Sequence, residues 1–160
     1  MKSITLQTGE LVVGQAGDIF SSGPLGSCIA VIIVAPEQGV GGMAHVMLPG
    51  RSRGQHNVEE NKYAENAIDN LMNELARFGV DYKNCRAWLI GAGNVLKRPD
   101  DNICASNIFS VVNYLGGLGI TILRSELGGE ERRTATLDLA EKEIRYTVGN
   151  NKEIVFEKIQ

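Results

Sequence analysis

The chain has 160 residues, a net charge of −3 and a sequence pI near 5.4, with 43% hydrophobic and 22% charged residues. This length fits one domain over residues 1–160, able to bury roughly 70% of its unfolded surface. The acidic balance gives no support to a nucleic-acid partner, and no apolar run approaches the ~20 residues of a membrane helix, so no membrane insertion is expected.

The N-terminus, Met1-Lys2-Ser3-Ile4-Thr5, lacks a signal-peptide apolar region, and three cysteines cannot all pair. Both point to a reduced, cytoplasmic protein. Nineteen glycines exceed the usual ~7% and cluster at 39/41/42, 91/93, 116/117/119 and 128/129, as turns between short elements would require.

In chain order, two short extended pieces come first, residues 3–7 and 10–14. A loop with Gly17, Gly23 and Pro24 leads to Cys28. Residues 28–35 form a β-branched strand, apolar at both parities and therefore buried on both faces. Pro36-Glu37-Gln38-Gly39 is a turn, and residues 42–48 return as a strand. A polar loop, 49–60, precedes the clearest helix, 61–78, with Ala64, Ala67, Ile68, Leu71, Met72, Leu75 and Ala76 at helical spacing and Gly79 as its cap. Residues 86–90 are a strand. A second helix runs from about 105 to 115, with Ile108, Val111, Val112 and Leu115 on one face, and stops at Gly116-Gly117. Strands at 120–123, 134–139, 144–148 and 153–157 complete the chain. Eight or nine strands and two helices that do not alternate as βαβ units give an α+β fold. It is a layered sandwich, strand-rich inside, with two main helices outside.

The chemistry-bearing residues are Cys28, in Leu25-Gly26-Ser27-Cys28, and His45, in Gly42-Met43-Ala44-His45-Val46-Met47-Leu48-Pro49. A thiol beside an imidazole is the minimum equipment for nucleophilic acyl chemistry. If Pro36–Gly39 is a four-residue hairpin loop, Ala35 faces Val40 and His45 faces Ala30. Cys28 then projects from the same face as His45, as a diagonal neighbour about 7–8 Å away at Cα. A loop one residue longer or shorter puts them on opposite faces. Residue chemistry alone leaves two readings open: a small buried hydrophobe with a core histidine, or a nucleophile with its base. The strand-end position of Cys28 favours access, and the Gly26-Ser27 turn can aim backbone N–H groups at an oxyanion.

The other candidates are weaker. Cys104 near a helix N-terminus would have a lowered pKa but has no histidine nearby in sequence. Cys85 and His56 read as incidental loop residues. Gly91-Ala92-Gly93 follows a strand but lacks the third glycine of GxGxxG and the GK[ST] of a P-loop. Arg51-Ser52-Arg53 and Arg132-Arg133, the tight basic clusters, read as solvated loops.

The motifs around Cys28 and His45, continued by Lys62-Tyr63-Ala64, Gly91-Ala92-Gly93, Asn102-Ile103 and Gly128-Gly129, closely resemble the CheD family of chemoreceptor glutamine deamidases. The resemblance runs through nearly the whole chain in order. It implies Cys28 as nucleophile and His45 as base. The family has a threonine six residues before the cysteine that orients the histidine. Ser22 stands there, keeping the hydroxyl and losing the methyl. The implied substrates are chemoreceptor cytoplasmic domains, with a CheC-type phosphatase as a second partner and no cofactor. Leu96 replaces an aromatic in the region associated with that partner. Arg133 falls where the family often has arginine, without an evident role. The implied fold is similar to the catalytic domain of cytotoxic necrotizing factors. Receptor methylesterase activity, a regulatory binding module and a redox-sensitive thiol remain as alternatives.

Overall fold

The computed structural model describes residues 1–54 and 59–160. Ten strands and two helices are present among them. The strands are β1 (Ser3–Thr5), β2 (Leu11–Gly14), β3 (Ile19–Leu25), β4 (Ile29–Ala35) and β5 (Val40–Val46). After α1 (Ala64–Ala76) come β6 (Arg86–Gly91), α2 (Ile103–Gly117), β7 (Thr121–Leu127), β8 (Arg133–Asp138), β9 (Glu143–Val148) and β10 (Ile154–Lys158).

The strands form two five-stranded sheets, ordered β1-β3-β8-β9-β10 and β2-β5-β4-β6-β7. The helices pack on one face of the second sheet, and the first sheet covers its other face. The fold is thus α+β in three layers, with β4 at the centre. Its alternating side chains separate into two cores. Ile29, Val31 and Ile33 meet Ile68, Leu71 and Leu75 of α1 and Val111 and Leu115 of α2, whereas Ala30, Ile32 and Val34 meet Phe20, Leu137 and Ile144 of the other sheet. Each fully buried Ile or Val contributes roughly 1.5–3 kcal/mol. That is why this run needs cover on both faces.

Several elements differ from the sequence reading. The expected loop before Cys28 contains β3. Ile19, Phe20 and Leu25 supply its apolar contacts, but Ser21-Ser22-Gly23-Pro24 interrupts the alternation. Those residues form a bulge against β8, with Gly23 at φ 69°. The chain does contain one βαβ unit: β6 and β7 are parallel and α2 is their crossover. Helix α1 is shorter than expected because a 3₁₀ turn, Glu60–Lys62, precedes it, and Ala76 is exposed. Helix α2 runs through Gly116-Gly117. It ends before Gly119, the residue with positive φ. Its buried face carries Cys104, Asn107, Val111 and Leu115, and Val112 is exposed.

The hairpin has the expected register: Ala35 pairs with Val40 and Ala30 with His45. Strand β4 begins at Ile29, one residue after Cys28.

Candidate active site

Cys28 ends the turn that follows β3. The turn and the residues just past β6 are laced together. Ala92 N–H donates to Cys28 O, and Gly93 N–H donates to Gly26 O, both at 2.8 Å. Gly91, at φ 131°, allows this approach: a Cβ there would sit 2.2 Å from Cys28 O. Gly91-Ala92-Gly93 is therefore a backbone cradle for the cysteine turn, not a nucleotide loop. Ala92 itself holds φ 55°, a costly conformation for a residue with a side chain.

Arg133 secures the same cradle. Its guanidinium donates to Gly91 O at 3.0 Å and Gly128 O at 2.7 Å, and pairs with Glu126 at 3.0 Å. It is buried, so the solvated-loop reading is wrong for it. Arg51 is not free either: it pairs with Asp69 at 2.8 Å and Glu65 at 3.3 Å and donates to Tyr114 Oη.

His45 lies on β5 with its side chain between the sheets, on the face shared by Met43 and by Cys28, Ala30 and Ile32 across the pair. Its ring is buried, and neither nitrogen makes a well-formed hydrogen bond, although the Ser22 and Leu6 backbones lie close enough to act on it. Burial lowers its pKa. The backbones of Ser22 and Leu6 and the charge of Glu10 oppose that shift without reversing it. Cys28 is half-buried, and burial raises its thiol pKa. No sulfur–imidazole hydrogen bond joins the two, and both favour their neutral forms.

Ser22 is fully buried, with its backbone against the His45 ring. Its hydroxyl donates to Gly23 O at 2.6 Å and accepts from Ala135 N–H at 2.9 Å, which closes the β3 bulge. Its backbone is what approaches the His45 ring.

Cys28 opens into a cleft of about 460 Å³ with Gly26, Ser27, Asn94, Arg98 and Asp101 among its walls. Cys104 also lines it, but its thiol is pushed up to about 11, first by burial and then by Asp101 and Cys28. The lowered pKa expected of a helix N-terminus is therefore overturned. Cys85 is likewise raised to about 11, chiefly by burial. His56 lies outside the described residues. A larger cavity of about 620 Å³, with Pro49, Glu65, Phe109 and Tyr114 among its walls, has no cysteine or histidine in its described lining. No group of three or more histidine, cysteine or acidic side chains fit to hold a metal ion occurs among the described residues. No described helix is long and apolar enough to cross a membrane.

The sequence reading missed Asn107. It sits at the centre of α2's buried stripe, three residues after Cys104 and four before Val111. Its Nδ2 donates to Ser27 O at 2.9 Å and Met47 O at 3.0 Å. An amide interrupting an otherwise apolar helical face was the available signal.

Comparison with known proteins identifies the family. The family model described as CheD chemotactic sensory transduction matches residues 47–147, beginning just beyond His45. A probable chemoreceptor glutamine deamidase CheD of Chlorobium luteolum is 37% identical over 150 residues, covering 94% of this chain and 75% of its own length. One of Desulfitobacterium hafniense is 34% identical, covering 95% of this chain and 97% of its own length. The chemoreceptor glutamine deamidase CheD of Thermotoga maritima is 32% identical over 82% of each. On the family match and these long alignments together, the chain belongs to the CheD family.

Proposed function

We propose that the protein is a cytoplasmic chemoreceptor glutamine deamidase with Cys28 as nucleophile and His45 as base. The observation that carries this reading is the buried His45 ring. Neither of its nitrogens has a well-formed hydrogen bond, and it faces Ala30, two residues along from Cys28. Buried polar atoms are ordinarily satisfied, so an imidazole held only by the approach of the Ser22 and Leu6 backbones calls for a use. The names of the relatives supply the substrate class.

In this mechanism neutral His45 takes the Cys28 proton as the sulfur attacks a glutamine carboxamide carbon. Side-chain rotation closes the diagonal gap, as catalytic contacts often tighten only with substrate bound. Backbone N–H groups of the Gly26-Ser27-Cys28 turn stabilise the oxyanion. His45⁺ gives the proton to the leaving ammonia, which leaves a thioester. Water, activated by neutral His45, then cleaves the thioester to glutamate and free thiol. The raised thiol and lowered imidazole pKa values favour this route over a resting thiolate–imidazolium pair. The Ser22 backbone approaches the ring, while its hydroxyl is engaged by Gly23 and Ala135. The likeness to the catalytic domain of cytotoxic necrotizing factors belongs to the same reading.

The test is peptide mapping of receptor cytoplasmic fragments after incubation with wild type or Cys28→Ala, with methanol measured alongside. Conversion of specific glutamines to glutamate by wild type only is expected. Conversion by a folded Cys28→Ala rejects the mechanism. Methanol release without glutamine conversion favours the methylesterase.

A second reading has one observation behind it. Leu96, 72% exposed, and Val95 form an apolar lip on the cleft. A CheC-type phosphatase bound there would cover the cleft. Tight capture of that phosphatase without receptor turnover would make the protein a regulatory binding module.

A further inference from the structure

We infer that Asn107 is a positioning residue that sets the Ser27–Cys28 peptide so that its N–H faces the reacting carbonyl; this rests on the deamidase reading of the same site. The Asn107 side chain is fully buried on α2. It donates one N–H to Ser27 O and the other to Met47 O, 80 and 60 residues away in sequence. Ser27 immediately precedes the nucleophile, and Met47 lies two residues beyond His45. One amide group therefore ties the cysteine turn to the histidine strand.

The consequence follows from peptide geometry. The Ser27–Cys28 peptide is planar and trans, as no cis bond occurs among the described residues, so its C=O and N–H point in opposite directions. With Ser27 O held toward α2, Cys28 N–H is turned away from α2. It has no acceptor among the described residues. From the other side, Ala92 N–H holds Cys28 O and Gly93 N–H holds Gly26 O. The turn is thus pinned on both flanks, and Cys28 N–H is left free. An oxyanion hole needs this: donors fixed in advance, so that none has to reorient as charge develops.

The retained asparagine is otherwise hard to explain. Its Oδ1 is buried without a partner, which costs stability. A leucine would suit the apolar stripe of Cys104, Val111 and Leu115 better. Asparagine makes sense if its two donors are needed.

The experiment uses the full chain, with wild type, Asn107→Leu and Asn107→Ser. Ammonia release from receptor fragments gives kcat and KM. Iodoacetamide alkylation of Cys28 reports thiol reactivity without an oxyanion. Amide NMR reports the turn directly. For a folded variant we expect kcat to fall about 100-fold, as for loss of an oxyanion donor. KM and the alkylation rate should stay within about threefold. The Gly26–Cys28 amide signals should shift, while those of β9 do not. In wild type the Asn107 side-chain amide protons should be strongly protected from exchange. Three results would each overturn the inference: wild-type kcat in a folded Leu variant, a Cys28 amide signal superimposed on that of wild type, or wild-type Asn107 protons that exchange as fast as a solvated amide. The last needs no variant. A wild type without ammonia release would instead reject the deamidase reading, while the NMR outcomes still judge the clamp.

Discussion

The two ends of strand β4 are built on opposite plans. At the hairpin end the chain reverses through Pro36–Gly39. Backbone bonds close the turn, with Gly39 N–H donating to Ala35 O at 3.1 Å and Pro36 O at 3.2 Å. The strand residues flanking it, Val34, Ala35 and Val40, are all apolar and buried. At the cysteine end, three separate segments converge: the turn after β3, the exit of β5 and the exit of β6. Buried side-chain donors join them, namely Asn107 and Arg133, with Ser22 closing the neighbouring bulge. All the unpartnered buried side-chain atoms found among the described residues belong to His45, Asn107 and Arg133. A fold optimised only for stability would not concentrate such costs at one end. The difference separates a piece of scaffold from a site.

Mutations at both ends should break or sharpen this contrast. The largest expected effect on turnover is from His45→Ala. On the proposed mechanism, loss of the base should lower kcat about 10²–10⁴-fold, while the cavity left by the smaller side chain lowers stability without unfolding the protein. Steady-state ammonia release with a thermal melt checks it. Next comes Arg133→Leu. This leaves Gly128 O and Glu126 without the Arg133 donor and Gly91 O with Gly128 N–H alone, and should cost about 3 kcal/mol, judged by denaturant unfolding. Activity should fall with it, since the Gly91 cradle carries Cys28 O. The smallest effect belongs to the hairpin end. Gly39 sits at φ 67° with open space around its missing Cβ, so Gly39→Ala should cost about 1 kcal/mol and leave turnover unchanged. If Gly39→Ala impaired kcat as much as Arg133→Leu, the two ends would not differ in kind.

The legible parts of the chain were those where apolar patterning and turn chemistry agree. The β4–β5 register is the one that a four-residue Pro36–Gly39 loop implies, which sets His45 opposite Ala30. The buried stripe of α1 followed from helical spacing. What escaped were long-range polar contacts. Nothing local marks Arg133 as buried, because its partners are carbonyls 42 and 5 residues away. Gly91 carried only a faint phosphate-loop signal, which sequence motifs rejected, because a glycine needed for close backbone approach is spelled the same way. Asn107 was passed over because hydrophobic periodicity counts apolar residues and ignores the polar one among them. Strand β3 was lost because a bulge spends Ser21–Pro24 on local bonds instead of alternation.

The pH dependence of ammonia release tests most directly whether a neutral His45 serves a neutral Cys28. Burial moves the His45 pKa below the ordinary value of about 6.5, so its neutral form persists to lower pH and only stronger acid protonates it. Burial also moves the Cys28 thiol up, so no resting thiolate forms near neutrality. The account predicts a kcat/KM profile that is flat through neutrality and falls on the acid side with a midpoint below about 6.5. It also predicts that this limb disappears, with most of the activity, in His45→Ala. A profile that climbs steadily with pH as a lone thiol ionises, unchanged by His45→Ala, would contradict it.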